Sequence, residues 1–335
     1  MADEHAGPSH ATEGSPGRSV VRRARTRVLV HRLLHILLVL FGVSFLSFLL
    51  IHLAPGDPVR AMFATSGQVP DESVLAEMRE ELGLNKPFLV QYVAWLGDIL
   101  RGDFGTSYSE GLPVSQLLAA RVLPTIQLAL LALVMMLVIA IPVGVASALR
   151  QNGLADYVLR GFTFLGISMP NFWVGLILLY VVAMQLRLIP VVSTTIDFQK
   201  MLLPAFTLAF SMAGKYPRQV RAAILEELGQ DYVAGARARG LSERRVLWCH
   251  VIPNATLPLI TMLGLSLGSL LGGTAVVEVI FSYPALGSLA ISAISSMDYP
   301  LIQGYVLWIA LIYMVVNLVV DISYNRLDPR LREVR

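Results

Sequence analysis

The sequence predicts an all-α, polytopic membrane protein, and three observations carry that prediction. Of 335 residues, 55% are hydrophobic and only 15% are charged, whereas soluble chains carry about 25% charged residues. Mean hydropathy is +0.65. The apolar residues also gather in runs long enough to cross a hydrocarbon core of about 30 Å. Backbone groups in lipid must be satisfied within their own segment, which selects helices over strands for such runs. Too few polar residues remain to cover a water-soluble surface, so a soluble enzyme, a nucleic-acid-binding domain and a disordered chain are excluded. A pI near 9.1 does not revive a nucleic-acid partner. The net charge is only +3, and the basic residues lie between apolar runs instead of on one soluble face.

Residues 1–27 read as a disordered basic tail, small and polar with Pro and Gly, ending in Arg18, Arg22, Arg23, Arg25 and Arg27. The transmembrane domain then occupies 28–332. Its first span, 33–53, exceeds the roughly 7–15 residues of a signal-peptide core and reads as an uncleaved helix. Further spans fall at 125–149, 161–186, 201–214 plus flanks, 255–281 and 303–324. The 201–214 run covers only about 21 Å at 1.5 Å per residue, so charge has to decide whether it crosses. With six spans and both termini inside, 19 Lys and Arg lie inside and 7 outside. Dropping that run gives 8 inside and 18 outside, against the positive-inside rule. Six helices follow.

The external segment 54–124 reads as structured. Val74, Leu75, Met78 and Leu82 share one helical face before Gly83, a candidate C′ residue. A second amphipathic stretch carries Tyr92, Val93, Leu96, Ile99 and Leu100 and stops at Gly102. Acids outnumber bases nine to five here, which suits a solvated cap over the membrane domain or a docking face for an outer partner.

Enzyme motifs are missing. Gly268–Thr274 imitates the glycines of a phosphate-binding loop but has no Lys. Neither an H-E-x-x-H nor a G-x-S-x-G sequence occurs. The single cysteine, Cys249, allows no intrachain disulfide and no cysteine-cluster metal site. Catalytic and metal residues are therefore expected to be none. Gly264, Gly268 and Gly272 stand four residues apart on one helix face, which permits close helix packing. Of the few ionisable groups near spans, His52, Glu278 and Asp321 lie near span ends. A proton-coupled carrier would show more of them at mid-depth. Polarity alone nominates Ser168, Asn171, Thr274 and Glu278 for a translocation path.

The 215–254 connection is the most punctuated segment. Asp231, Tyr232, Ala236, Arg237 and Arg239 lie on a helix-compatible stretch that Gly240 can stop. Leu241 follows, Ser242 can cap a second helix carrying Arg245 and His250, and Pro253 brings that helix to a close. Two short helices around a glycine elbow make a projecting knob.

This segment resembles the Glu-Ala-Ala loop of ABC importer permeases, with Pro253 thirteen residues beyond Gly240 and Ala236 at the second Ala. The motif's Glu is Ala234 here and its first Ala is Gly235. That departure points to the oligopeptide/dipeptide branch. Further agreement comes from PGDP at Pro55–Pro58, LGLNKP at Leu82–Pro87, GDFGTSY at Gly102–Tyr108 and ISMPNFW at Ile167–Trp173. VVEVIFSYPALG at Val276–Gly287, MDYP at Met297–Pro300 and NLVVDISYNRLDPR at Asn317–Arg330 complete the likeness. Pro284-Ala285 and Met297-Asp298 depart from the family's usual Pro-Gly and Arg-Asp. The resemblance implies a type I ABC importer permease fold in the cytoplasmic membrane, surrounded by lipid. It implies a second homologous permease, two ATPase subunits that bind ATP and Mg, and an extracytoplasmic substrate-binding protein. The knob would couple ATP hydrolysis to transport of di- or oligopeptides. Nickel, glutathione and other small solutes use the same scaffold.

Overall fold

The computed structural model describes residues 18–54, 56–64, 70–189 and 197–327. Residues 1–17 of the expected tail and 328–335, with Asp328–Arg330 of the last motif, lie outside them. Among the described residues no strand forms; there is one isolated antiparallel bridge, Thr106 to Pro113.

The helices in chain order are α1 (Arg18–Leu53), α2 (Pro58–Ala64), α3 (Glu72–Glu81), α4 (Phe88–Leu100), α5 (Val114–Leu149), α6 (Leu154–Ser168) and α7 (Asn171–Leu178). There follow α8 (Phe198–Ala213), α9 (Tyr216–Leu228), α10 (Asp231–Ala238), α11 (Glu243–Val246), α12 (Ile252–Gly273), α13 (Ala275–Ile280), α14 (Leu286–Ser295) and α15 (Tyr299–Leu327). Leu179–Gln185 prolongs α7, and Leu247–Val251 joins α11 to α12, both as π-helical turns.

Four differences from the expected elements have local causes. Helix α1 begins at Arg18, so 18–27 is helical and not a disordered tail; arginine is a good helix former and extends a helix the apolar run nucleates. Helix α5 begins eleven residues before 125, running through Pro124 and Pro142. The expected span 161–186 is broken: Asp156–Ser168 and Asn171–Gln185 bend by 101°. Met169, preceding Pro170, is extended at φ −94°, ψ 129°, the conformation proline imposes on its predecessor. The expected span 255–281 is interrupted at Thr274, which separates α12 from α13.

Among the described residues, three helical segments are long and apolar enough to cross a membrane, Leu34–Leu53, Val114–Leu149 and Tyr299–Val320, and the bent pair makes a fourth if it is counted as one span. The other two expected spans coincide with α8, of 16 residues, and with α12 plus α13.

The core lies where α5, α8 and α13 meet, around Leu128, Ala132, Leu203, Leu208, Val277, Phe281 and Tyr283. The glycine ladder is used for packing, as its spacing suggested. A Cβ on Gly268 would stand 2.5 Å from the Tyr313 ring, and one on Gly264 would collide with Val320, so side chains of α15 seat on bare backbone of α12 at these two positions.

Two sequence motifs far apart meet at one end of the molecule. The Asp298 carboxylate accepts from the Ser109 amide at 3.0 Å and hydroxyl at 2.8 Å, and from the Ser107 hydroxyl. This pins the Thr106–Pro113 turn to the start of α15. Nearby, Asp57 of the PGDP motif accepts from Arg79 Nε at 3.1 Å, tying it to α3. Gly83 and Gly102 terminate α3 and α4 at φ +67° and +87°, as expected of C′ glycines.

Candidate functional site

The knob sits on a helix that sequence reading missed. Helix α9 carries Val220, Ala223 and Ile224 at helical spacing, and these pack with Val233, Ala236, Val246, Leu247, Val251 and, from the end of α5, Ala148. Basic and acidic residues around them obscured the pattern, though the i, i+3, i+4 apolar spacing was there to be read. The knob is therefore seated firmly on α5 and α9 instead of projecting freely.

Helix α10 ends in a Schellman motif. Leu241 N–H reaches Ala236 O at 3.3 Å and Gly240 N–H reaches Arg237 O at 2.9 Å. This geometry needs the left-handed conformation that Gly240 adopts at φ +78°, and a Cβ there would meet nothing within 4 Å. Its glycine is required by backbone conformation and not by crowding. Across the elbow, Arg237 Nε and Nη2 donate to Glu243 Oε1 and Oε2 at 2.7 and 3.0 Å. Arg237 thereby holds the Glu243 carboxyl below its ordinary range.

Asp231, Tyr232, Arg237, Arg239, Gly240, Ser242 and Arg245 are all exposed, Leu241 and His250 are half-buried, and Ala236 faces the core. The Tyr232 hydroxyl donates to Glu227 Oε2 at 2.6 Å. Two expected details differ. Ser242 occupies the N-cap position in extended conformation without a side-chain bond to α11; its carbonyl takes the Arg245 and Val246 amides. Pro253 does not close the second helix. It stands in the first turn of α12, where a missing N–H is tolerated, and the preceding π turn carries the chain into it without a break.

Behind the knob lies a buried carboxylate that sequence reading also missed. Asp156, fully buried, accepts from Arg221 of α9 at 3.2 and 3.3 Å, from the Asn152 amide at 3.0 Å and from Ser147 of α5. Arg160 Nη2 stands 3.0 Å away. One side chain thus fastens α5, α6 and α9 together.

The four expected path residues form two separate pairs. Ser168 and Asn171 flank the α6–α7 bend, with the Ser168 hydroxyl bonded back to Phe164 O at 2.9 Å. Thr274 and Glu278 are buried and bonded to each other. Glu278 also accepts from the Ser288 amide at 2.7 Å, so it braces the reversal between α13 and α14. No hydrogen bond links the pairs among the described residues.

Residues 140–333 match the family described as binding-protein-dependent transport system inner membrane component, and 25–130 match its N-terminal companion. The chain belongs to that family. This permease is 38% identical over 311 residues to the probable peptide ABC transporter permease protein y4tP of Sinorhizobium fredii, covering 91% of this chain and 98% of that one. It is 39% identical to the oligopeptide transport system permease protein AppB of Bacillus subtilis, over 90% and 98% of the two chains. It is 38% identical to the glutathione transport system permease protein GsiC of Salmonella choleraesuis, over 90% and 97%. A solved chain of the inward-facing MetNI methionine ABC transporter superposes with a TM-score of 0.53 at 18% identity, covering 64% of this permease and 97% of that chain. That likeness establishes the type I importer permease fold. The permease is thus a multi-pass inner-membrane component of a binding-protein-dependent transport system.

Proposed function

We propose that this permease is the non-catalytic, six-span membrane subunit of an ATP-driven importer of di- and oligopeptides, coupled to its ATPases through the α10–α11 knob. The names of its relatives support the substrate, and one observation carries the coupling role. The knob exposes Arg237, Arg239, Gly240 and Arg245 while its apolar residues are fixed against α5 and α9. A rigid, exposed element seated on long helices can pass a push into them. ATP and Mg belong to two partner ATPase subunits, and a second permease completes the pathway. An extracytoplasmic binding protein delivers the substrate. ATP binding closes the ATPase pair, the knobs move with it, and the pathway changes the side to which it opens, a bistable rigid-body transition.

In this reading both termini and 215–254 lie inside, consistent with the 19-to-7 division of basic residues. Uptake of labelled di- to pentapeptides by cells with and without the chain, beside glutathione and nickel, tests the substrate. Loss of peptide uptake alone is expected on deletion; loss of only glutathione or nickel uptake refutes the peptide assignment. The purified chain hydrolyses no ATP until ATPase subunits are added, and turnover by the chain alone refutes the subunit assignment. Labelling of a cysteine in 215–254 from outside intact cells refutes the topology.

A further inference from the structure

Helix α4 falls within the segment that charge counting assigns to a solvated cap, yet its placement contradicts that. We propose that α4 lies inside the membrane, in the leaflet at the Leu53 end of α1, with Leu89, Val93 and Leu100 against lipid acyl chains.

Three observations carry this. The first is what α4 sits on. Leu34, Leu38, Phe41, Phe45 and Phe48 recur at i, i+4, i+7, i+11 and i+14, one unbroken apolar stripe along α1. Its lower part is bare: Leu34 and Leu38 are 65% and 66% exposed. In a spanning helix, such a bare apolar face is turned to lipid or to another membrane subunit, and not to water. The upper part of the same stripe is where α4 rests, through Phe88 on Phe45 and Phe48 and through Tyr92 on Phe41, Phe45 and Phe48. Helix α4 thus rests on the continuation of a face of α1 that is apolar and bare immediately below it.

The second is depth. The Tyr92 hydroxyl and the Ser44 hydroxyl are hydrogen-bonded at 2.9 Å, buried. Ser44 precedes Leu53 by nine residues, which places it about 13 Å inside the end of the helix at 1.5 Å per residue. That is well within one leaflet of a hydrocarbon core about 30 Å thick. A helix whose tyrosine reaches this level is not in bulk water.

The third is the outward face. Leu89, Val93 and Leu100 are 64%, 66% and 80% exposed and share one side of α4. Asp98 is the only charged residue between Phe88 and Leu100. Lys86 and Arg101 stand just beyond the two ends, where long basic side chains reach the headgroups. The polar Gln91 is already satisfied, its amide donating to Leu84 O and Lys86 O at 2.9 and 2.8 Å. An apolar outward face between two basic flanks suits a helix set among acyl chains with its ends at the headgroups.

Spin labels decide the matter in the full-length chain, reconstituted in liposomes with the subunits that co-purify with it. Cys249 is first replaced by Ala, and labels are then placed by Val93→Cys, Leu89→Cys and, as a water-exposed reference on α3, Glu77→Cys. Collision rates with oxygen and with a water-soluble nickel chelate are compared. Labels at 93 and 89 should collide with oxygen and be strongly protected from nickel, while the label at 77 should show the reverse. Nickel access at 93 and 89 equal to that at 77 would place α4 in water and overturn the proposal. Protection from both reagents would overturn it too, since a protein partner would then cover the face. Both labelled positions are exposed, so neither label disturbs packing, and agreement between them guards against a local artefact.

Discussion

Arg237 and Glu243 clasp each other across the Gly240 elbow through two parallel hydrogen bonds of 2.7 and 3.0 Å. The pair fixes the angle between α10 and α11 from the solvent side, while Ala236 and Val246 fix it from the core side. Between them the backbone must turn left-handed at a single residue.

Gly240 therefore tolerates asparagine better than valine. The site has room for a side chain, so only φ +78° penalises substitution. Asparagine visits that region at modest cost, whereas a β-branched residue there costs on the order of 1–3 kcal/mol. Gly240→Val should leave abundance nearly unchanged and sharply reduce transport, with substrate-stimulated ATP hydrolysis falling in parallel; Gly240→Asn should retain most activity. Uptake, ATPase and immunoblot measurements on both variants give the comparison. Normal transport by Gly240→Val would show that the elbow does not couple.

The same clasp sets a pH dependence. Because Arg237 depresses the Glu243 pKa in the folded protein, the pair's contribution is complete above the ordinary glutamate range. It is lost as pH falls through the lowered folded value. Between pH 6 and 8 the coupling profiles of the wild type and of Glu243→Gln in inside-out vesicles should thus run parallel, the variant lower by one constant factor. A mid-range pH step abolished by Glu243→Gln would contradict this assignment.

Gly268 should behave oppositely to Gly240. A Cβ placed 2.5 Å from Tyr313 forces α12 and α15 apart, and overpacking of this kind costs about 1–3 kcal/mol. Gly268→Val should lower the amount of folded permease in the membrane, with the transport lost in proportion. Gly268→Val combined with Tyr313→Ala, which vacates the space, should restore abundance. Failure of that rescue would mean the clash is not the cause.

Asp156 holds three helices, so its neutralisation should be felt as instability. In Asp156→Asn, Arg221 and Arg160 would lose the carboxylate both face, leaving two like charges close together. Several-fold lower abundance is expected, a scale that small stability losses reach in cells. A detergent thermal-shift assay should show earlier melting, and Arg221→Gln in the same background should recover part of it. Unchanged melting in Asp156→Asn would show that this carboxylate does not clamp the three helices.

Much of this architecture was legible in the sequence because its signals are local. Apolar runs read as spans, and Gly83, Gly102 and Gly240 each mark a left-handed helix end, since a positive φ is written into one residue type. The Gly264 and Gly268 spacing likewise announced close packing, and Tyr313 and Val320 fill the grooves. The knob's elbow could be read in the same way. Its platform was harder to see, because the apolar i, i+3, i+4 residues of α9 are interleaved with charges.

Where the sequence was silent, a distant contact decided the arrangement. Polarity nominated Glu278 and Thr274 for a path, and the structure bonds both into the reversal before α14, through an amide ten residues away in the chain. Asp298 and the serines at 107 and 109 are adjacent only in space. Acidic excess made 54–124 read as a solvated cap, but the aromatic stripe of α1 determines where α4 rests. By itself, then, the sequence determined the class, the apolar segments, the glycine-marked helix ends and the family. Tertiary structure alone decided which polar groups remain free and which faces are covered. Helix formation and backbone turns depend on neighbours within a few residues, whereas burying a carboxylate or a helix face depends on partners that only folding brings within reach.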